Sequence, residues 1–99
     1  MKITTRGPAA AQAIADRKPF TTHGALYALD GGIHSGCTGR LNHAERENFL
    51  EDLPHIDYVV FSYNTPIAWH TPAGWYKVKQ KFSPTTSQHQ GKLYLIESR

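Results

Sequence analysis

Tyr58-Val59-Val60-Phe61, at the centre of the segment Ile56–Tyr63, is the most strongly apolar run in the chain, and the fold is read outward from it. Successive side chains of a strand point to opposite faces, so four large apolar residues in a row need cover on both sides, as a central strand has. Their β-branched and aromatic character favours that conformation. Downstream, the turn-forming triplets Asn64-Thr65-Pro66 and Pro72-Ala73-Gly74 bracket Ile67–Thr71 and lead into Trp75–Phe82. This predicts an antiparallel meander in which Trp69 lies on a hairpin strand as a packing residue.

Two helices are predicted to pack on that sheet. Gly7-Pro8 followed by Ala9–Ala15 predicts one over Pro8–Arg17, because proline suits the first turn and alanine is the best helix former; Pro19 ends it. Asn42, three residues before Glu45, suggests a reciprocal capping pair for a second helix over His43–Leu53. There Ala44, Phe49, Leu50 and Leu53 recur at helical spacing, and Pro54 closes the helix. Shorter pieces complete the reading: Lys2–Thr5 as a first strand, Phe20–Thr22 and Ala25–Leu29 as one or two extended segments, and Leu93–Ile96 as a closing strand. Ser83-Pro84 is expected to cap a short helical turn through His89, with Gly91 as its stop. The fold class is therefore α+β, a single small domain over residues 1–99, with Val59, Phe61, Phe49 and Leu50 in the core.

Composition bounds the rest. A chain of 99 residues, 39% hydrophobic and 19% charged, suffices for one modest core and excludes a two-domain enzyme. One cysteine, Cys37, allows no intramolecular disulfide, which points to a reducing cytoplasm. No signal-peptide pattern or apolar run approaching the roughly 20 residues of a membrane helix is legible, so a soluble cytoplasmic protein is expected.

Charge is unevenly placed: residues 1–20 sum to +3, 30–57 to −4 and 75–99 to +4. Lys77, Lys79 and Lys81 alternate along the predicted last strand beside Trp75, followed by the hydroxyl-rich Ser83, Thr85, Thr86 and Ser87. Lysines for phosphates, an aromatic platform for a base, and hydroxyl and amide donors are what backbone-directed nucleic-acid binding requires. The same lysines would equally solvate an edge strand and discourage edge pairing.

Other constellations carry less. His34-x-x-Cys37 followed by His43 is the tightest potential ligand group, but a zinc site needs three or four ligands at recognised spacings, and no metal or cofactor is expected. Cys37 has no legible thiolate-activating context, and the hydroxyls near His89 lack a glycine-framed nucleophile elbow. Glu45, Glu47, Glu51, Asp52 and Asp57 are read as a solvated helix face, and the glycine-rich connection Asp30–Gly39 as an exposed loop of the kind that carries binding groups.

Two stretches, Tyr58-Val59-Val60-Phe61-Ser62-Tyr63-Asn64-Thr65-Pro66-Ile67-Ala68-Trp69 and, after Trp75, Phe82-Ser83-Pro84-Thr85-Thr86-Ser87-Gln88-His89-Gln90, resemble a small uncharacterised domain found in bacteriophage genomes of actinobacterial hosts. Phe20–Leu26 and Gly39-Arg40-Leu41 are similar to the same domain. The resemblance implies a phage or prophage accessory protein acting in a bacterial cytoplasm and carries no activity, cofactor or catalytic residue with it. With no triad, metal set or phosphate loop, a non-enzymatic role is expected: nucleic-acid binding, or alternatively a protein-binding module that inhibits or redirects a host factor or defence system.

Overall fold

The computed structural model describes residues 2–4, 7–30 and 38–99. Five strands pair in sequence order, all antiparallel: β1 (Phe20–Thr21), β2 (Leu26–Asp30), β3 (Tyr58–Ser62), β4 (Thr65–Thr71) and β5 (Gly74–Lys77). Among the described residues there are three α-helices, α1 (Ala9–Ala15), α2 (His43–Asp52) and α3 (Pro84–Gln90), with 3-10 turns at Leu53–His55 and Gly91–Leu93. The α+β meander is thus as expected, and the helical turn expected after Ser83-Pro84 is the third helix.

The alternation in β3 divides the molecule into two cores. Tyr58 and Val60 face a cluster with Ala10, Ala13 and Ile14 of α1 and with Leu93 and Ile96. Val59 and Phe61 face a second cluster with Phe49 of α2, Leu41 and Trp69. All five residues of β3 are buried, as a strand covered on both faces demands. Trp69 is fully buried, with its ring edge-on to Phe49 at 5.1 Å and its indole N–H donating to Asp52 Oδ2 at 2.8 Å.

The β3–β4 hairpin turns one residue earlier than Asn64-Thr65-Pro66 suggests. Tyr63 and Asn64 form the turn, both at positive φ (51° and 61°), and Ser62 pairs with Thr65, so Thr65 and Pro66 belong to β4. A two-residue loop with both residues left-handed matches the right-handed twist of a hairpin. Beyond it the register shifts, with Val60 opposite Ala68 and Phe61 opposite Pro66, which leaves Ile67 as an extra residue. This bulge turns Ile67 and Ala68 into the same core and accommodates a proline inside a strand.

Several expectations are corrected. The strand predicted over Trp75–Phe82 ends at Lys77; Val78 N–H still donates to the Ile67 carbonyl at 2.9 Å, but Lys79 N–H donates instead to the Glu45 carboxylate at 2.8 Å. Leu93–Ile96 is not a strand: Leu93 and Ile96 are buried at a helical spacing of three, which throws Tyr94 and Leu95 outward. Leu50 is 43% exposed, because the face of α2 turned to the sheet runs through Glu45 and Phe49. The capping of α2 is one-sided. Asn42 Oδ1 accepts from Glu45 N–H at 2.9 Å, but the Glu45 carboxylate is buried and used elsewhere, so the acidic residues are not one solvated face. Helix α1, expected over Pro8–Arg17, spans Ala9–Ala15. Arg17 (φ 53°) and Lys18 return amide bonds to the Ile14 and Ala13 carbonyls, the closed form of a helix C-terminus. Of the strand expected over Lys2–Thr5, the described residues form a single bridge, from Lys2 to Thr21, and Thr5 lies outside them. Most of the Asp30–Gly39 loop, with His34 and Cys37, lies outside the described residues.

The end of α1 is fastened to the sheet by polar contacts. Tyr58 OH donates to the Lys18 carbonyl at 2.8 Å, and Arg17 Nη1 donates to His70 Nε2 at 2.8 Å while His70 Nδ1 bonds Asp57 Oδ1 at 2.7 Å. Burial, with Asp30 adding to it, pushes the Tyr58 phenol far above its ordinary range, so it remains a donor.

Neighbouring residues of α2 provide a contrast that tests this packing. Phe49→Ala is expected to lower unfolding stability by about 3–5 kcal/mol through loss of its contact with Trp69, and Leu50→Ala by about 0.5 kcal/mol or less, measured by urea denaturation. Equal losses would overturn the assignment of the buried face.

Candidate functional site

The basic segment and α3 meet at one place. The Gln90 side-chain amide, at the end of α3, donates to the carbonyls of Val78 and Gln80, each at 3.2 Å. On its other side the segment is held by Glu45, whose Oε2 takes Lys79 N–H, and by Gln80, whose amide donates to the Arg40 carbonyl and accepts from Asn42 N–H. The run from Val78 to Phe82, held at these points, leaves Lys79 and Lys81 exposed, while Lys77, still on β5, is half-buried.

At the C-terminal end of α3 lies a cleft of about 400 Å³ lined by Gln88, His89, Gly91, Lys92 and Tyr94. His89 is 8% exposed and is fixed from within: its Nδ1 is 2.7 Å from Ser62 Oγ, and the Ser62 hydroxyl donates to Thr86 Oγ1 at 3.2 Å. With the Ser62 hydroxyl donating to Thr86, the imidazole donates from Nδ1, and Nε2 keeps its lone pair. Burial, reinforced by the Lys92 charge, lowers the His89 pKa, so the ring is neutral near pH 7 and the positive charge of the cleft comes from Lys92. Tyr63 packs over the imidazole with centroids 6.3 Å apart. It remains 54% exposed and Tyr94 62% exposed, two aromatic rings presented to solvent around one histidine.

The hydroxyl cluster expected at Ser83–Ser87 has a different use. Ser83 is the N-cap of α3 and accepts from Thr86 N–H, Ser87 N–H bonds the Ser83 carbonyl, and Thr86 is buried against Ser62. Ser83, Thr85 and Ser87 remain at the surface. Trp75 is half-buried, edge-on to Tyr58 at 5.7 Å and to His70 at 5.2 Å, so it is a packing residue first.

A second cleft, of about 270 Å³, is lined by Asn48, Glu51, Asp52, Tyr76 and Arg99. Asn48, Asp52, Tyr76 and Arg99 already have polar partners there. Tyr76 OH donates to Glu45 Oε1, Asn48 bonds both, and Arg99 pairs with Asp52 and lies over the Tyr76 ring. Burial and the Glu45 carboxylate raise the Tyr76 pKa.

His89, Lys92, Tyr63 and Tyr94 were not selected as binding residues by sequence reasoning. The hydroxyl that orients His89 comes from Ser62, 27 positions earlier. The one local signal was Tyr63-Asn64 in a place where a two-residue hairpin favours Asn-Gly.

The chain belongs to DUF8033, a family of unknown function, over residues 1–96. Neither a curated protein nor a solved structure matches it.

The lowered His89 pKa has a measurable sign. The unfolded chain takes up a proton near the ordinary imidazole pKa of about 6.5, whereas native His89 resists it. Its stability contribution is therefore complete above that pH and is lost as pH falls toward the lowered native value. His89→Gln is expected to flatten this part of the stability curve, measured by thermal denaturation at constant ionic strength. A variant that keeps the full wild-type slope would assign the effect to another group.

Proposed function

We propose that this DUF8033 protein is a small non-enzymatic binding module that engages the phosphate backbone of a nucleic acid, in the phage-type accessory role implied by its sequence resemblance. Lys77, Lys79 and Lys81 supply charge along the segment clamped by Gln90, and Lys92 extends it to the cleft. The observation that carries the reading is this clamp, because it sets the exposed Lys79 and Lys81 on a segment whose Lys79 amide and Val78 and Gln80 carbonyls are already hydrogen-bonded. Exposed lysines on a fixed backbone contact phosphates without sequence readout.

A binding role is also favoured by the state of the hydroxyl nearest His89. Ser62 is fully buried and held between the imidazole and Thr86, which is a structural position rather than that of a nucleophile facing substrate. The acidic side of the molecule gathers Glu45 and Asp52 into internal contacts, and Arg99 is consumed by Asp52. Lys79 and Lys81 stay exposed to a partner.

Replacing Lys77, Lys79 and Lys81 together with glutamine is expected to leave thermal stability nearly unchanged, because the bonds holding Lys79 come from its backbone. If each lysine makes one phosphate contact, the slope of log affinity against log salt should fall by about two units for a single strand and nearly three for a duplex. The reading fails if the wild-type protein shows no salt-dependent binding to DNA or RNA at low ionic strength and instead recovers one host protein from nuclease-treated lysate.

A further inference from the structure

The hairpin tip carries a residue that the backbone does not favour. Tyr63 sits at φ 51°, a left-handed conformation natural to glycine and asparagine and poor for an aromatic side chain. Its ring is 54% exposed, and its contact with His89 has a 6.3 Å centroid separation, so packing alone is a weak return for a strained position. A second exposed aromatic, Tyr94, is pushed outward by the buried pair Leu93 and Ile96 and lines the same cleft as His89, Gln88 and Lys92. The cleft has a volume of about 400 Å³, room for a single nucleotide and too little for a duplex.

The chemistry around the space is specific. Two phenol rings offer π-faces, the His89 Nε2 lone pair and the Gln88 amide offer an acceptor and a donor–acceptor pair, and Lys92 offers a cation at the rim. A nucleobase presents a π-face, edge donors and acceptors, and a phosphate a short distance away. We propose that the His89 cleft holds one unpaired nucleotide, its base stacked on Tyr94 and read at its edge by His89 and Gln88, its phosphate on Lys92, with Tyr63 as the platform for the neighbouring base. This rests on the nucleic-acid reading above and deepens it: the protein selects single strands over duplexes.

Binding is measured by fluorescence anisotropy with a labelled mixed-sequence single strand and with the same strand annealed to its complement, at one moderate salt concentration. A preference of about tenfold or more for the single strand supports the proposal; equal affinity overturns it while leaving the basic-segment reading intact, and binding to neither overturns both. A mixture of the four nucleoside monophosphates that competes fully supports the cleft with free nucleotide as its source.

The variants separate stacking from structure. Tyr94→Ala is expected to weaken single-strand binding about tenfold and to leave duplex binding unchanged. Tyr63→Asn is expected to weaken single-strand binding to a similar extent while raising Tm, because asparagine suits the left-handed turn position. A Tyr63→Asn protein with lower Tm and wild-type affinity, or a Tyr94→Ala protein with wild-type preference for the single strand, overturns the assignment.

Discussion

Burial of β3 on both faces is the constraint from which the other elements take their positions. A strand with Tyr58 and Val60 on one side and Val59 and Phe61 on the other is stable only between two covering layers. Helix α1 and the turn carrying Leu93 and Ile96 cover one side, and α2 covers the other. Ser62 is the polar end of the same alternation. It follows Tyr58 and Val60 on their face, and where apolar cover gives way to α3 it meets Thr86 and His89. The orientation of the histidine in the candidate site is thus a consequence of the register of the central strand.

A second constraint is the buried Glu45 carboxylate. It accepts from Tyr76, Asn48 and Lys79 N–H, so its desolvation is compensated by three donors from three parts of the chain. The arrangement joins α2 to β5 and to the segment beyond it, and it replaces strand pairing where β5 stops. With the Gln90 amide on the other side, a stretch outside any regular element is held by side-chain bonds to the Lys79 amide and to the Val78 and Gln80 carbonyls. The lysines on that stretch project from a supported backbone, which reduces the entropy lost when they meet a polyanion.

Legibility in the sequence followed the range of the interactions. The central strand, the meander, both long helices and the N-caps Asn42 and Ser83 were readable because each depends on neighbours a few residues away. Where long-range contacts decide, the reading failed. Glu45 looks like a capping residue and is instead a buried acceptor for Tyr76, 31 positions on. Lys79 has the alternation of a strand, but Glu45 takes its amide. Leu93–Ile96 has strand composition, yet burying Leu93 and Ile96 together requires a helical spacing. In the candidate site the lysines were visible as charge, and the cleft was not, because His89 owes its place to Ser62 and Tyr94 owes its exposure to the burial of its neighbours.

The order of the strands in the sheet bears on how the chain reaches this structure. Every strand pairs with its neighbour in sequence, and two-residue turns join β3 to β4 and β4 to β5. Closing such loops loses little entropy, so the three-stranded unit forms early and α2, immediately upstream, completes its cover. Joining β2 to β3 closes the much longer stretch between Asp30 and Tyr58, and α1 and α3 then dock on a face that is already assembled. The Ser62–His89 contact belongs to this late docking, since its two halves come from the early hairpin and the later helix. The part of the molecule proposed to bind is thus held by contacts between segments far apart in the chain, and closing it costs more chain entropy than closing either hairpin.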